Sequence, residues 1–145
     1  MSRWPRRMAA LRSLLAALLS SALAGEEPAP GPAPLLLYAF YDRTRPCCAT
    51  AALAGIAHLR EALGQRQEVA LLLVDVTPGA TPAEARAAAA AAGLADAELR
   101  CDPQRALAAS LGIAIEGAIV YGLCRPGEPP LVLRSPAEVQ RALAR

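Results

Sequence analysis

Residues 35–76 read LLLYAFYDRTRPCCATAALAGIAHLREALGQRQEVALLLVDV, and this stretch decides the architecture. Leu35 to Tyr41 is a continuous apolar run bounded by Pro34 and Asp42, as expected of a strand buried on both faces. A loop with two adjacent cysteines follows. Beyond it a helical pattern places Ala52, Leu53, Ile56, Leu59 and Leu63 on one face and His58 on the other. Gly64 marks its end. Glu68 to Val76 is a second apolar run, hence a second buried strand. Strand, helix and strand make a βαβ unit, whose crossover is expected to be parallel and right-handed.

Downstream, the helix starts are written in capping chemistry. Thr81-Pro82-Ala83-Glu84 combines an N-cap hydroxyl, a proline at the first helical position and a capping-box glutamate. Its helix is expected to run through the alanines to Gly93. Ser135-Pro136-Ala137-Glu138 repeats the device before a C-terminal helix. Asp102-Pro103 is a third cap, predicted to lead Gln104 to Leu111 into Gly112. Ala97 to Cys101 predicts a short strand. Ala118 to Leu123 and Leu131 to Leu133 predict a hairpin around Arg125-Pro126-Gly127-Glu128. The order β-α-β-α-β-α-β-β-α defines an α/β chain with one domain over residues 35–145.

Upstream, Arg3, Arg6, Arg7 and Arg12 form a basic region without an acid, and an apolar stretch then ends in Ala22-Leu23-Ala24. Residues 1–24 read as a cleavable export signal. The apolar run falls short of the ~20 residues of a spanning helix, so a membrane association is expected only if the signal stays uncleaved. Residues 25–34 alternate prolines with small residues and read as an extended spacer. The chain has no lysine, and its formal charge of +2 rests on those four leading arginines. Without them eleven arginines face thirteen acids, which leaves no basic footprint for nucleic acid. A 54% hydrophobic content suits a packed core and argues against disorder, while 3% aromatics means a core of Leu, Val, Ile and Ala.

A parallel βαβ half joined to a ββα half is the thioredoxin arrangement, and residues 35–145 resemble a thioredoxin-superfamily domain. More narrowly, the chain resembles the TlpA-type exported thiol-disulfide proteins and the related peroxiredoxins. The resemblance is carried by the extra helix after the second core strand, by Asp102-Pro103-Gln104-Arg105-Ala106-Leu107-Ala108 and by the Gly112-Ile113 step before a strand. It implies three layers, α/β/α, around a central mixed sheet. It also implies a reactive site at Cys47 and Cys48. Against the family pattern F-W-A-x-W-C-x-P-C, Cys48 matches the second cysteine, Arg45 stands at the nucleophile and Cys47 at the proline. The family's cis-proline position falls near Gly117, and its buried acid in the first strand is missing.

Adjacent cysteines close only a strained ring if they pair with each other. A helix start, Arg43 and Arg45 suit a thiolate there, while Asp42 opposes them. Cys101 lies on a segment the family places near the active end, which implies a bridge from Cys101 to Cys47 or Cys48, with Cys124 at the opposite end of the sheet left over. Simple packing of Cys101 and Cys124 stays open. The resemblance thus implies an exported redox protein in which Cys47 or Cys48 attacks and its neighbour or Cys101 resolves, with protein thiols or disulfides as partners. The alternative is a binding or scaffolding module that kept the fold and lost the chemistry, as Arg45 and Gly117 suggest. For a peroxiredoxin this chain lacks the expected threonine, replaced by Arg45, and the arginine donor, and a Cu(I) carrier would rest on the adjacent thiols alone. No cofactor or metal is expected, since His58 is the single histidine and faces outward. Asp75 and Glu116 read as surface or loop acids, and the tyrosines as core edges.

Overall fold

The protein is described by a computed structural model covering residues 34–64 and 66–145, with Pro46 and Cys47 described as backbone. The expected export signal, and all of the expected spacer but Pro34, lie outside the described residues. Five strands form one sheet: β1 (Leu35–Tyr41), β2 (Val69–Asp75), β3 (Leu99–Cys101), β4 (Ile119–Cys124) and β5 (Leu131–Leu133), in the order β3-β2-β1-β4-β5. β1 pairs in parallel with β2 and β2 with β3, whereas β4 runs antiparallel to both β1 and β5. The sheet is therefore mixed, as expected. Four helices are described: α1 (Pro46–Leu63), α2 (Pro82–Ala91), α3 (Ala106–Ser110) and α4 (Pro136–Leu143).

Strand alternation divides the core in two. Leu37, Ala39, Tyr41, Leu73, Tyr121 and Leu123 face α1, α2 and α4, whose Leu53, Ile56, Leu59, Ala89, Val139 and Leu143 complete that cluster. Phe40, Val74, Val76 and Val120 face the other way, against Ala108 of α3 and Ile113. These are the three layers expected, with the sheet in the middle.

The Thr81 cap forms a complete box. Its hydroxyl accepts from the Glu84 amide, and the Glu84 carboxylate accepts from the Thr81 amide, both at 3.2 Å. Ser135 accepts from the Glu138 amide at 3.2 Å, but Glu138 itself accepts from the Arg134 amide at 2.7 Å, so that box closes one residue early. Gly93 has φ +79°, which only a residue without Cβ takes cheaply, and the Leu94 amide reaches back to the Ala89 carbonyl at 2.9 Å. Gly64, by contrast, stays right-handed, and its amide bonds to Glu61 in a tightened last turn.

The third helix differs from expectation. It begins at Ala106, not Gln104, because residues 102–105 form a turn closed by the Arg105 amide on the Asp102 carbonyl. Arg105 takes φ 58° there. Asp102 still caps, its carboxylate accepting from the amides of Ala106 and Leu107 at 3.0 and 2.9 Å. β3 is also shorter than predicted, since pairing with β2 covers only Leu99 to Cys101.

Candidate active site at the start of the first helix

β1 ends at Tyr41, and four residues later the chain turns into α1. Pro46 is the first helical residue, where its missing N–H costs nothing. Arg45 is the N-cap with extended backbone, φ −106° and ψ 104°, and its side chain makes no capping hydrogen bond. No acid occupies the first turn, so the positive end of an 18-residue helix is unopposed from within. The backbone of Cys47 and the half-buried Cys48 lie in this turn.

Cys48 lines a groove of about 710 Å³ together with Asp42, Thr44, Arg45, Pro78, Arg105, Ile115, Gly117 and Ala118. The loop before β4 thus faces the start of α1, as the topology requires. Gly117 has φ +79°, and no peptide bond among the described residues is cis. A Cβ placed on Gly117 would meet nothing within 4 Å, so the groove is open at that point.

Asp42 is bound from three directions. The Thr44 amide donates to it at 2.8 Å, the Thr44 hydroxyl donates as well, and Arg105 Nη2 donates at 3.1 Å. Burial alone would raise its pKa; the Thr44 hydrogen bonds and the Arg105 charge outweigh that and hold it below the usual carboxylate range. The expected opposition of Asp42 to a thiolate is therefore largely neutralised. Arg105 also approaches the Ile115 carbonyl at 3.5 Å and so ties the two walls of the groove.

Arg43 is not the second cation of this site. Its Nε lies 2.6 Å from Asp75, and its amide donates to the Thr77 hydroxyl at 2.9 Å. Asp75 has no solvent exposure, which corrects its reading as a surface or loop acid. The reason is register: Asp75 stands opposite Tyr41 on β1 and follows Leu71 and Leu73 on the same inward face. Glu116 is exposed, as expected, and pairs with Arg134 at 3.2 Å. Tyr41 and Tyr121 are fully buried, whereas Tyr38 is half-buried and stacks on Phe40.

Cys101 stands apart from the groove. Its free thiol donates to the Ala80 carbonyl at 3.4 Å, so the bridge implied between Cys101 and Cys47 or Cys48 is not formed here. Burial and the nearby Asp75 charge push that thiol's pKa up. Cys124 stands opposite Leu36 at the far end of β1, as expected, also as a free thiol raised by burial. No group of three His, Cys, Asp or Glu among the described residues is placed to hold a metal. Nor is any described helix long and apolar enough to cross a membrane.

Two residues escaped the sequence reading. Asp75 was legible in principle, as an acid in phase with inward leucines. Arg105 was not, because its reach to Asp42 depends on a left-handed turn that no motif announces.

The arrangement of sheet and helices is that of the thioredoxin-like proteins, with the extra helix α2 inserted after the second strand. The chain is similar to a secreted Mycobacterium tuberculosis disulfide oxidoreductase homologous to E. coli DsbE, with TM-score 0.58 and 12% identity over 78% of this chain and 82% of that one. It is likewise similar to MTB dsbF, with TM-score 0.59 and 14% identity over 77% and 80%. A thiol:disulfide interchange protein of the thioredoxin family from Chlorobium tepidum gives TM-score 0.56 and 13% identity over 77% and 79%. No family model and no curated protein matches the sequence. At these identities the likeness is one of fold.

Proposed function

We infer that this is an exported thiol-disulfide exchange protein acting through Cys48 and its neighbour Cys47. The observation that carries the reading is the placement of Cys48 in a groove between the uncapped start of α1 and the open Gly117 loop. The proteins of similar fold are described as disulfide oxidoreductases or interchange proteins, and the Ala22-Leu23-Ala24 signal supports export. Protein thiols and disulfides are the substrates such a groove would meet.

In this reading the Cys48 thiolate attacks one sulfur of a substrate disulfide. The S–S bond breaks, the departing sulfur takes up a proton, and a mixed disulfide remains on Cys48. A second thiolate, from Cys47 or from a small thiol in solution, attacks the Cys48 sulfur and releases the other substrate sulfur as a thiol. The substrate gains two electrons, and the attacking pair is oxidised to a disulfide. A resolving role for Cys101 would require its thiol to leave Ala80.

The test is insulin or peptide disulfide reduction by the purified protein, with Cys47, Cys48 and Cys101 each replaced by serine. Loss of turnover with Cys48→Ser is expected. Turnover insensitive to both Cys47→Ser and Cys48→Ser would sink the reading. The second reading, a binding module without chemistry, is favoured by Arg45 at the nucleophile position and by the trans Gly117 loop. It predicts no turnover from the unaltered protein.

A further inference from the structure

We propose that the Cys48 groove selects acidic peptides around the cysteine it exchanges with. This deepens the reading above and rests on it for the identity of the site. The charge inventory of the groove is small and complete among the described lining residues: Arg45 and Arg105 against Asp42. Asp42 is consumed by Arg105 and by both donors of Thr44. Arg45 is exposed, lines the groove and makes no ion pair among the described residues, so its charge is left uncompensated there. The N-terminal amides of α1 add a field of the same sign, because Arg45 supplies no capping oxygen and the first turn has no acid. Glu116, the nearest acid of the facing loop, is turned to Arg134.

The net field beside Cys48 is therefore positive, and a substrate carrying Asp or Glu next to its cysteine completes what the protein leaves unpaired. A substrate carrying Lys or Arg meets Arg45 as a like charge. The opening at Gly117, where a side chain is absent and a Cβ would touch nothing, leaves room for an extended peptide to cross the groove. An exposed arginine–carboxylate pair is worth a factor of roughly three to five in affinity at low salt. The effect fades once the screening length falls below about 5 Å, near 0.5 M salt.

The experiment uses the full chain and fluorescein-labelled heptapeptides with a central serine, flanked by glutamates, glutamines or lysines, read by anisotropy. The same three sequences as cysteine disulfides are assayed for reduction. The acidic peptide is expected to bind about five-fold tighter than the neutral one and the lysine peptide more weakly still. Arg45→Ser should bring the acidic and neutral peptides to within about two-fold, and Arg45→Glu should reverse the order. In the unaltered protein, 0.5 M salt should level them without any substitution. Equal binding of the three peptides at low salt, or no binding of the acidic one, overturns the proposal. Turnover without charge preference would overturn it while leaving thiol exchange standing. Charge-selective binding without turnover would do the reverse.

Discussion

Arg43 Nε lies 2.6 Å from the carboxylate of Asp75, a side chain with no exposure to solvent, while the arginine keeps 20% of its own. The pair locks the loop after β1 to the end of β2. Arg43→Met would leave Asp75 charged, buried and dependent on the Thr77 amide, which donates to it at 3.0 Å. Leaving such a charge uncompensated costs about 3 kcal/mol. Urea unfolding should show that loss, and the double variant Arg43→Met, Asp75→Asn should recover more than half of it. Additive losses would mean that the two groups do not act as a pair.

Two buried tyrosines make the protein sensitive to alkali. Burial pushes the Tyr121 phenol up to about 12 and raises Tyr41 further, with the Asp75 charge adding to the latter. Above pH 10 the native chain then holds protons that the unfolded chain has released. Stability is complete below pH 10 and falls as pH rises towards 12, by on the order of 2 kcal/mol per tyrosine. Tyr121 makes no side-chain hydrogen bond among the described residues, so Tyr121→Phe should hold stability at pH 7 within about 1 kcal/mol. It should also flatten the decline measured between pH 9.5 and 11.5. An unchanged slope would contradict the assignment.

The first helix is not optimised. Gly55 lies in its interior, and a methyl group there would meet Pro136 Cγ at 3.6 Å and Tyr121 Oη at 3.9 Å, ordinary contacts both. Gly55→Ala should stabilise the protein by about 0.5–1 kcal/mol, read as a higher urea midpoint at unchanged slope. Destabilisation would show that the helix packs more closely on α4 than these distances allow.

The Arg105–Asp42 link predicts a titration. Replacing Arg105 with glutamine removes one of the groups holding the Asp42 carboxyl below its usual range, so its pKa should rise. Carboxyl carbon NMR against pH measures this directly. The normal protein gains stability from Asp42 above the ordinary carboxylate range and loses it as pH falls, and the variant should lose part of that dependence. A titration identical in both proteins would place Arg105 elsewhere.

Slow alkylation should mark the two outlying thiols. Burial raises the pKa of both Cys101 and Cys124, the Asp75 charge adding to it at Cys101. Iodoacetamide at pH 7.5 should label each more slowly than an unstructured cysteine peptide, followed by mass spectrometry of the digested protein. Rapid labelling of Cys101 would show that its contact with Ala80 is not kept in solution.

Much of this molecule can be read along the chain because its signals are local. An apolar run of seven residues makes β1 legible, and a threonine three residues before a glutamate makes the start of α2 legible. Those features act through backbone geometry and neighbouring amides, and nothing distant can easily override them. Leu53, Ile56, Leu59 and Leu63 face the core as their spacing requires. The misreading of the third helix has the same root: Asp102 caps as its chemistry dictates, but the turn beneath it delays the helix to Ala106.

The site was legible only in position. A strand end followed by a helix start places Cys47 and Cys48 in the first turn of α1, and that much follows from order alone. Which charges surround Cys48 does not. Arg43, four residues before Cys47, is drawn inward by Asp75 from another strand, while Arg105, 57 residues beyond Cys48, arrives to hold Asp42. Such pairings depend on strand register and on a left-handed residue, both settled by packing across the whole sheet. Local chemistry dictated the elements and where the cysteine turn stands; long-range register decided which charges near Cys48 are already paired.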